Sequence, residues 1–216
     1  MNRQAVDVTS LDQVVLVLAP HTDDGEFGCG GTLAKLVEAG SKVWYAAFST
    51  CRRSLPPGLP PNTLELECRA ATAKLGISDP IFFDYDVRHF SSHRQPILED
   101  MVQLQARLKP DLIFIPASTD LHQDHQTIHN EAKRAFKRAK TLGFELPWNN
   151  ITMTTNFFST LEPRHVDAKV CSLLEYKSQL HRNYHSEEFV RALAVTRGTQ
   201  MGERYAEAFE VVRWRF

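Results

Sequence analysis

The sequence predicts an α/β protein: one three-layer, Rossmann-like domain built around a mostly parallel sheet. Apolar runs of strand length alternate with segments of helical periodicity, a pattern typical of βαβ units. The chain has 216 residues, which suits a single domain over 1–216, and it contains neither an internal repeat nor an interdomain linker. Hydrophobic residues make up 43% of the chain, which is enough for a sizeable core.

The first half of the chain alternates between strand and helix. Gln13–Ala19 is a continuous, valine-rich apolar run, typical of a strand that is buried on both faces. A loop is predicted at Pro20–Gly28, followed by a helix at Gly30–Ala39 that Gly40 ends. The next elements predicted are a strand at Lys42–Ser49, a proline-rich loop at Thr50–Asn62, a helix at Thr63–Leu75 and a strand at Ile81–Tyr85.

The second half repeats the alternation around a fourth apolar run. Asp111–Ala117 predicts another buried strand, with a loop at Ser118–His122 after it. Right-handed crossovers place the first and fourth strands side by side, near the point where strand order reverses and ligands bind. The remaining predictions are helices at Gln95–Leu108, Gln123–Lys140, Val166–Arg182 and Glu187–Arg197, and weaker strands at Thr152–Phe158 and Ala206–Phe216.

Charge and cysteine content exclude several classes of protein. The 25 basic and 26 acidic side chains give a formal net charge of -1, so nucleic acid and anionic membrane surfaces are not expected as partners. No apolar run approaches the ~20 residues needed to span a bilayer. None of the four cysteines forms a C-x-x-C pair, which favours reduced thiols and a cytoplasmic location. The last two helices could present a homo-oligomer interface, although nothing in the sequence demands one.

Two loops, each directly after a buried strand, carry histidine and carboxylate side chains. The first reads P-H-T-D-D-G-E over residues 20–26, and the second reads D-L-H-Q-D-H over residues 120–125. Catalytic zinc is usually held by three such side chains, with a fourth position left for water. His21 and Asp24 are close enough in sequence to bind one ion, and either histidine of the second loop could complete the site.

These two loops resemble the motifs of the LmbE/PIG-L-like deacetylases. P-H-T-D-D-G-E-F-G-C-G-G-T-L-A-K resembles that family's P-H-P-D-D signature, and D-L-H-Q-D-H resembles its D-x-H-x-D-H loop about a hundred residues later. Weaker similarity at ECRAATAKLGI, EYKSQL and YAEAFEVVR extends the resemblance over nearly the whole chain. The sequence departs from the pattern at Thr22, where proline is usual, and at Gly25, where many members have an acidic residue.

The resemblance implies a zinc-dependent hydrolase that removes the N-acetyl group from an N-acetylglucosamine-type amino sugar, either free, nucleotide-linked or in a glycoside. It implies His21, Asp24 and His125 as Zn²⁺ ligands, Asp23 as the general base, His122 as the group that stabilises the oxyanion, and Asp124 as the carboxylate that orients His122. On this view Asp124 keeps His122 protonated. Asp124 would also serve as an ordinary N-cap of the helix that follows.

Chemical principles agree with these implied roles. Zinc lowers the pKa of a bound water to about 7 and polarises a carbonyl group. An unliganded carboxylate beside the metal can take a proton from that water and pass it to the leaving amine. Asp23 is adjacent to an implied ligand and is free for this task.

Substrate contacts are expected from the loops after the second and third strands. Arg88, at the end of the third strand, is the preferred contact, and Arg53 is a second one, because arginine can hold a phosphate or a sugar hydroxyl. An ordinary solvated surface explains either residue equally well. Trp148 fits both stacking on a sugar ring and a place in the core.

Three other functions fit the sequence less well. A magnesium-dependent phosphoesterase is an alternative, but Mg²⁺ prefers oxygen ligands over the histidines of these loops. A non-catalytic binding module with a structural metal would normally use four ligands, mostly cysteine, and the cysteines lie elsewhere. The glycines after the first strand are spaced G-x-G-G, which does not match the dinucleotide fingerprint.

Overall fold

The computed structural model describes residues 13–215, and within them it shows one seven-stranded sheet with helices on both faces. The strands are β1 Val14–Ala19, β2 Lys42–Ala47, β3 Ile81–Phe82, β4 Leu112–Pro116, β5 Lys140–Phe144, β6 Phe157–Leu161 and β7 Tyr205–Arg213. The helices are α1 Asp24–Glu38, α2 Thr63–Lys74, α3 Arg94–Leu108, α4 Gln123–Ala135, α5 Pro163–Leu173 and α6 Glu187–Gln200. Short 3₁₀ helices lie at Arg52–Ser54, Phe90–His93, Lys177–Gln179 and Asn183–His185.

The strand order is β3-β2-β1-β4-β5-β7-β6. Strands β1 to β5 are parallel, whereas β7 runs antiparallel to both β5 and β6. The chain moves outward from β1 in one direction and from β4 in the other, so strand order reverses between these two strands. This is where such sheets bind ligands, at the carboxyl ends of the strands.

Two apolar layers cover the two faces of the sheet. Val15 and Val17 of β1 face a core formed with α1, α2 and α5, whereas Leu16 and Leu18 face a core formed with α3 and α4. Both layers are fully buried at these positions, because successive strand residues point to opposite faces. The predicted fold class, a three-layer α/β domain with a mostly parallel sheet, is therefore confirmed, as is the pairing of β1 with β4.

Several predicted elements differ from the structure. The helix predicted at Gln123–Lys140 ends at Ala135, and the missed strand β5 follows. The third strand covers Ile81–Phe82 alone, and the fifth predicted strand lies at Phe157–Leu161, later than Thr152–Phe158. The helix predicted at Val166–Arg182 is α5 followed by the 3₁₀ turn at Lys177–Gln179.

Helix α1 begins at Asp24, six residues before the start predicted at Gly30, and it is kinked at Cys29. The kink leaves backbone groups unpaired, and two distant side chains satisfy them. The Glu207 carboxylate accepts hydrogen bonds from the N–H groups of Gly31 (3.0 Å) and Thr32 (2.7 Å). Lys169 Nζ donates to the Phe27 carbonyl (2.6 Å) and to Glu207 (2.7 Å). This buried ion pair supplies partners that a straight helix would provide itself.

None of the helices in the described part of the chain combines the length and the apolar character needed to span a bilayer.

Candidate metal centre and active site

The loops after β1 and β4 bring the predicted metal ligands together. The two strands are parallel, hydrogen-bonded neighbours, with Val17 opposite Phe114. Their carboxyl ends therefore lie side by side at the same edge of the sheet. His21 and Asp24 come from the first loop and from the start of α1, and His125 comes from the first turn of α4. All three side chains are largely buried.

Three donor atoms from these residues form a nearly equilateral triangle. The distance is 3.1 Å from His21 Nδ1 to Asp24 Oδ2, 3.2 Å from Asp24 Oδ2 to His125 Nε2, and 3.2 Å from His125 Nε2 to His21 Nδ1. Tetrahedral zinc with ligands at about 2.0–2.1 Å needs neighbouring donors roughly 3.3 Å apart. The three atoms therefore fit a zinc ion that they bind jointly, with a fourth position open.

The electrostatics of the triangle favour a positive charge at its centre. Burial alone would lower the pKa of His125, but Asp24 and Asp120 raise that pKa to about 10. Burial also opposes ionisation of Asp24, yet the neighbouring His125 and His21 hold its pKa well below the usual range. A metal cation could replace the protons on the two histidines and interact with the same carboxylates, because metal ligands bind in their deprotonated forms.

A carboxylate holds the outer nitrogen of each histidine in the triangle. Asp124 Oδ2 lies 3.1 Å from His21 Nε2, and Asp120 Oδ2 lies 2.8 Å from His125 Nδ1. Such contacts fix the tautomer and orientation of a ligating imidazole. Asp124 is itself anchored, because it accepts hydrogen bonds from the backbone N–H groups of Arg88 (2.6 Å) and Phe90 (3.2 Å). The sequence reasoning assigned no role to Asp120.

The predicted pairing of Asp124 with His122 is the longer of two contacts that the Asp124 carboxylate makes with histidine rings. The Asp124 carboxylate approaches His122 Nδ1 only to 3.9 Å, and its close partner is His21. His122 is the N-cap of α4, and its Nδ1 accepts a hydrogen bond from the Asp124 backbone N–H at 3.2 Å. The N-cap considered for Asp124 therefore belongs to His122.

His122 is placed as a neutral donor, against the expectation that it is protonated. Burial first, and then the neighbouring His125 and His21, lower the pKa of His122 to about 4. Because Nδ1 accepts a hydrogen bond, the single proton of the neutral ring belongs on Nε2. His21, His122 and His125 also have ligand atoms within 4.8 Å of one another, a looser set than the triangle that contains Asp24.

Asp23 lines the cavity next to the triangle, and its carboxylate does not cap the helix that follows it. It is the N-cap residue of α1, yet no cap hydrogen bond from its side chain is found in the described structure. Its side chain is 17% exposed, and it lines the same cavity as the triangle. Its nearest ionic partner is His185, whose Nε2 lies 3.5 Å from Asp23 Oδ2. The side chain of the predicted base is thus partly exposed to the cavity.

The cavity above the triangle has a volume of about 220 Å³. Arg88 lines it, as predicted for a substrate contact, and so does Trp148. Arg53 is placed elsewhere: it pairs with Asp86 at 3.0 Å, in a neighbouring groove. The described lining of the cavity does not include Arg53, so this predicted contact gains no support.

Part of the cavity lining comes from a segment for which the sequence predicted no site residue. Gln179, Arg182 and Tyr184 lie between α5 and α6 and line the cavity. The Tyr184 ring stacks on Trp148, with centroids 4.0 Å apart and an interplanar angle of 12°. The EYKSQL similarity, which includes Gln179, was the available signal, but residue type alone did not indicate that the segment reaches the site.

A buried carboxyl group supports the first loop from below. Glu26 is fully buried, and the hydroxyls of Tyr45 and Tyr176 both contact its carboxyl group and the Thr22 carbonyl oxygen. Two hydroxyl protons can serve only two of these four contacts, and a proton on Glu26 would serve a third. Burial raises the pKa of Glu26 to about 8, against the lowering effect of the two tyrosines, which agrees with this count.

Gly25 makes room for one of these tyrosines. A Cβ atom at Gly25 would lie 2.5 Å from Tyr45 Cε2 and 2.7 Å from its hydroxyl oxygen. The Gly25 backbone N–H also donates to that hydroxyl at 3.1 Å. The departure from the acidic residue found in many relatives therefore has a physical reason, since the Tyr45 hydroxyl occupies the place of a side chain.

A known family and several known proteins are similar to this chain. A family model described as PIG-L: GlcNAc-PI de-N-acetylase matches residues 16–136, which is more than half of the chain. The chain is 26% identical over 170 residues to Uncharacterized deacetylase YaiS from Escherichia coli K12, covering 76% of this chain and 90% of that protein. It is 23% identical over 225 residues to the diacetylchitobiose deacetylase of Thermococcus kodakarensis, covering 92% of this chain and 82% of that protein.

Solved structures share the complete fold. The conserved protein TT1542 from Thermus thermophilus matches with a TM-score of 0.81 at 23% identity, covering 96% of this chain and 97% of that chain. GalB, a 4-carboxy-2-hydroxymuconate hydratase from Pseudomonas putida KT2440, matches with a TM-score of 0.78 at 20% identity, covering 94% and 98%. At these identities the likeness shows the fold, and the hydratase illustrates that one fold carries different reactions.

Proposed function

The chain belongs to the PIG-L (GlcNAc-PI de-N-acetylase) family, and from this premise we propose that it is a zinc-dependent hydrolase that removes the N-acetyl group from an N-acetylglucosamine-type amino sugar. One observation carries the proposal. The donor triangle of His21, Asp24 and His125 lies in a cavity of about 220 Å³, beside the uncommitted carboxylate of Asp23. This arrangement supports a catalytic zinc site next to a general base.

His21, Asp24 and His125 are the proposed zinc ligands. When bound, zinc supplies Lewis acidity toward the acetyl carbonyl and lowers the pKa of water. Asp124 and Asp120 keep the two imidazoles turned so that Nδ1 of His21 and Nε2 of His125 face the centre. The histidine content of the set favours zinc over magnesium, which prefers oxygen ligands.

Asp23 and His122 are the proposed catalytic residues. A carboxylate oxygen of Asp23 takes a proton from the attacking water and returns it to the nitrogen of the leaving amine. The N–H at Nε2 of His122 donates a hydrogen bond to the oxygen that becomes negatively charged when the acetyl carbonyl is attacked. The amide C–N bond then breaks, which leaves acetate and a protonated amine, so one water molecule balances the reaction.

The substrate contacts are less defined than the reaction. Arg88 is the proposed contact for a sugar hydroxyl or an anionic group, since it lines the cavity and its backbone is tied to Asp124. Arg53 stays a prediction without support from the cavity. A cytoplasmic location is kept as part of the proposal, because all four cysteines are free thiols in the described structure.

The test is acetate release from a panel of N-acetylated amino sugars. Purified protein is stripped with a chelator and assayed alone, with Zn²⁺ and with Mg²⁺ on N-acetylglucosamine, its phosphates, its glycosides and nucleotide-linked forms. Zinc-dependent acetate release with equimolar amine is expected. The same samples are assayed for inorganic phosphate and for hydration of an unsaturated carboxylic acid. Phosphate release with Mg²⁺, or hydration without acetate release, would overturn the proposal.

A further inference from the structure

His185 is a buried histidine with an unusual environment. It lies in the 3₁₀ turn Asn183–His185, its side chain is fully inaccessible to solvent, and neither ring nitrogen has a hydrogen-bond partner among residues 13–215. A buried polar group without a partner lowers stability, because the group has lost its water and gained no bond in return. The two unpaired ring nitrogens of His185 therefore lower the stability of the fold.

The His185 ring is enclosed by aromatic side chains and lies close to the Asp23 carboxylate. Phe27 packs edge-to-face against it, with centroids 4.6 Å apart and an interplanar angle of 82°, and Tyr176 and Tyr184 close its other sides. Within the described chain, Asp23 is the carboxylate within ion-pair distance of the ring, with Oδ2 3.5 Å from Nε2. Phe27 is one helical turn after Asp23 on α1, so the same helix places the base and braces the ring beside it.

We propose that His185 is a positioning residue for Asp23: its ring donates from Nε2 to Oδ2, so that the other carboxylate oxygen faces the attacking water. The inference rests on the function proposed above. The 3.5 Å separation is slightly longer than a hydrogen bond, and contacts of this kind commonly shorten when substrate fills the site. The proton travels from water to Asp23 and then to the leaving amine.

Two substitutions separate this role from a packing role. His185→Phe keeps a ring of similar size and removes the unpaired nitrogens, whereas His185→Gln keeps an N–H donor. For His185→Phe we expect zinc content unchanged, Tm equal to or above that of the wild type, kcat reduced at least tenfold, and KM within about twofold. His185→Gln should recover part of the lost kcat. A residue that mattered for packing alone would lower Tm and kcat together.

His129 provides the matched control. It is also buried, but its Nδ1 is satisfied by the Pro116 carbonyl at 2.8 Å, on α4 away from the base. His129→Phe should therefore lower Tm, because it leaves that carbonyl without a partner, which is the opposite of the change expected at His185.

The double substitution Asp23→Asn with His185→Phe is the decisive experiment. If His185 acts through Asp23, removing it after Asp23 is disabled should lower kcat no further, so the two effects are not additive. Suppose that the wild type is active. If His185→Phe then keeps the full kcat, or if the losses in the double variant are additive, the inference is overturned and the proposed function stays intact. A wild type that releases no acetate would instead overturn the proposed function, and the inference with it.

Discussion

The carboxylate of Asp124 lies 3.1 Å from Nε2 of His21 and 3.9 Å from Nδ1 of His122. Asp124 therefore supports a proposed zinc ligand, and its effect should be seen in metal affinity. Asp124→Asn should weaken zinc binding by about 10–100-fold, the usual cost of losing such a partner. Competition with a chromogenic chelator measures this. Unchanged zinc affinity together with a reduced kcat would restore the pairing with His122.

Metal content distinguishes the donor triangle from the looser histidine group. Ala at His21, Asp24 or His125 should abolish zinc retention after gel filtration, because a catalytic site with three protein ligands cannot easily lose one. His122→Gln should retain zinc and lose turnover. The measurement is the zinc-to-protein ratio of all four variants by elemental analysis. If Asp24→Ala kept zinc while His122→Gln lost it, His122 would replace Asp24 among the ligands.

Asp23→Asn separates the base from the ligands. The amide keeps the size of the side chain but cannot accept a proton from water, so kcat should fall by about 10²–10⁴-fold with zinc still bound. Steady-state kinetics and zinc analysis on the same preparation check both parts. An Asp23→Asn variant that turns over at the wild-type rate would show that another group takes the proton.

Glu26 predicts a pH dependence of stability. Burial raises its pKa to about 8 in the folded protein, from 4.5 for an ordinary glutamate. Between these two values the unfolded chain releases a proton that the folded chain keeps, so this group's contribution to folding is lost as pH rises. Glu26→Gln cannot titrate, so its Tm relative to the wild type should increase from pH 5 to pH 8.5. Thermal unfolding of both proteins in chelator measures this, and parallel curves would contradict it.

The strands and loops that carry the site were predictable because their signals are local. The apolar runs of β1 and β4 are continuous, and the polar motifs follow them directly, so adjacency of the two strands was enough to bring His21 and His125 together. Strand β5 was missed because helical periodicity continues up to it and it contains Gly143, which sequence reasoning counts against a strand. A Cβ atom at Gly143 would lie 3.0 Å from the Ala117 Cα, so the two backbone segments approach closely.

Other features depend on contacts distant in sequence. The glycine-rich start of α1 was predicted as loop, since no local pattern shows that Glu207 and Lys169 will satisfy the kinked backbone. The partner of Asp124 could not be read from spacing either. His122 is its near neighbour in sequence, whereas His21 is 103 positions away and closer in space.

The kinked helix α1 also bears on how this catalytic apparatus can be inherited. The family model ends at residue 136, yet Lys169 and Glu207 pair the backbone at the kink, and Tyr176 holds the loop carbonyl of Thr22. A recombinant exchange between relatives with its junction at that boundary would join the half that carries the proposed zinc ligands to a foreign scaffold. The parts of the chain before and after residue 136 must therefore be transplanted as one unit. Directed evolution of either part will require compensating changes in the other.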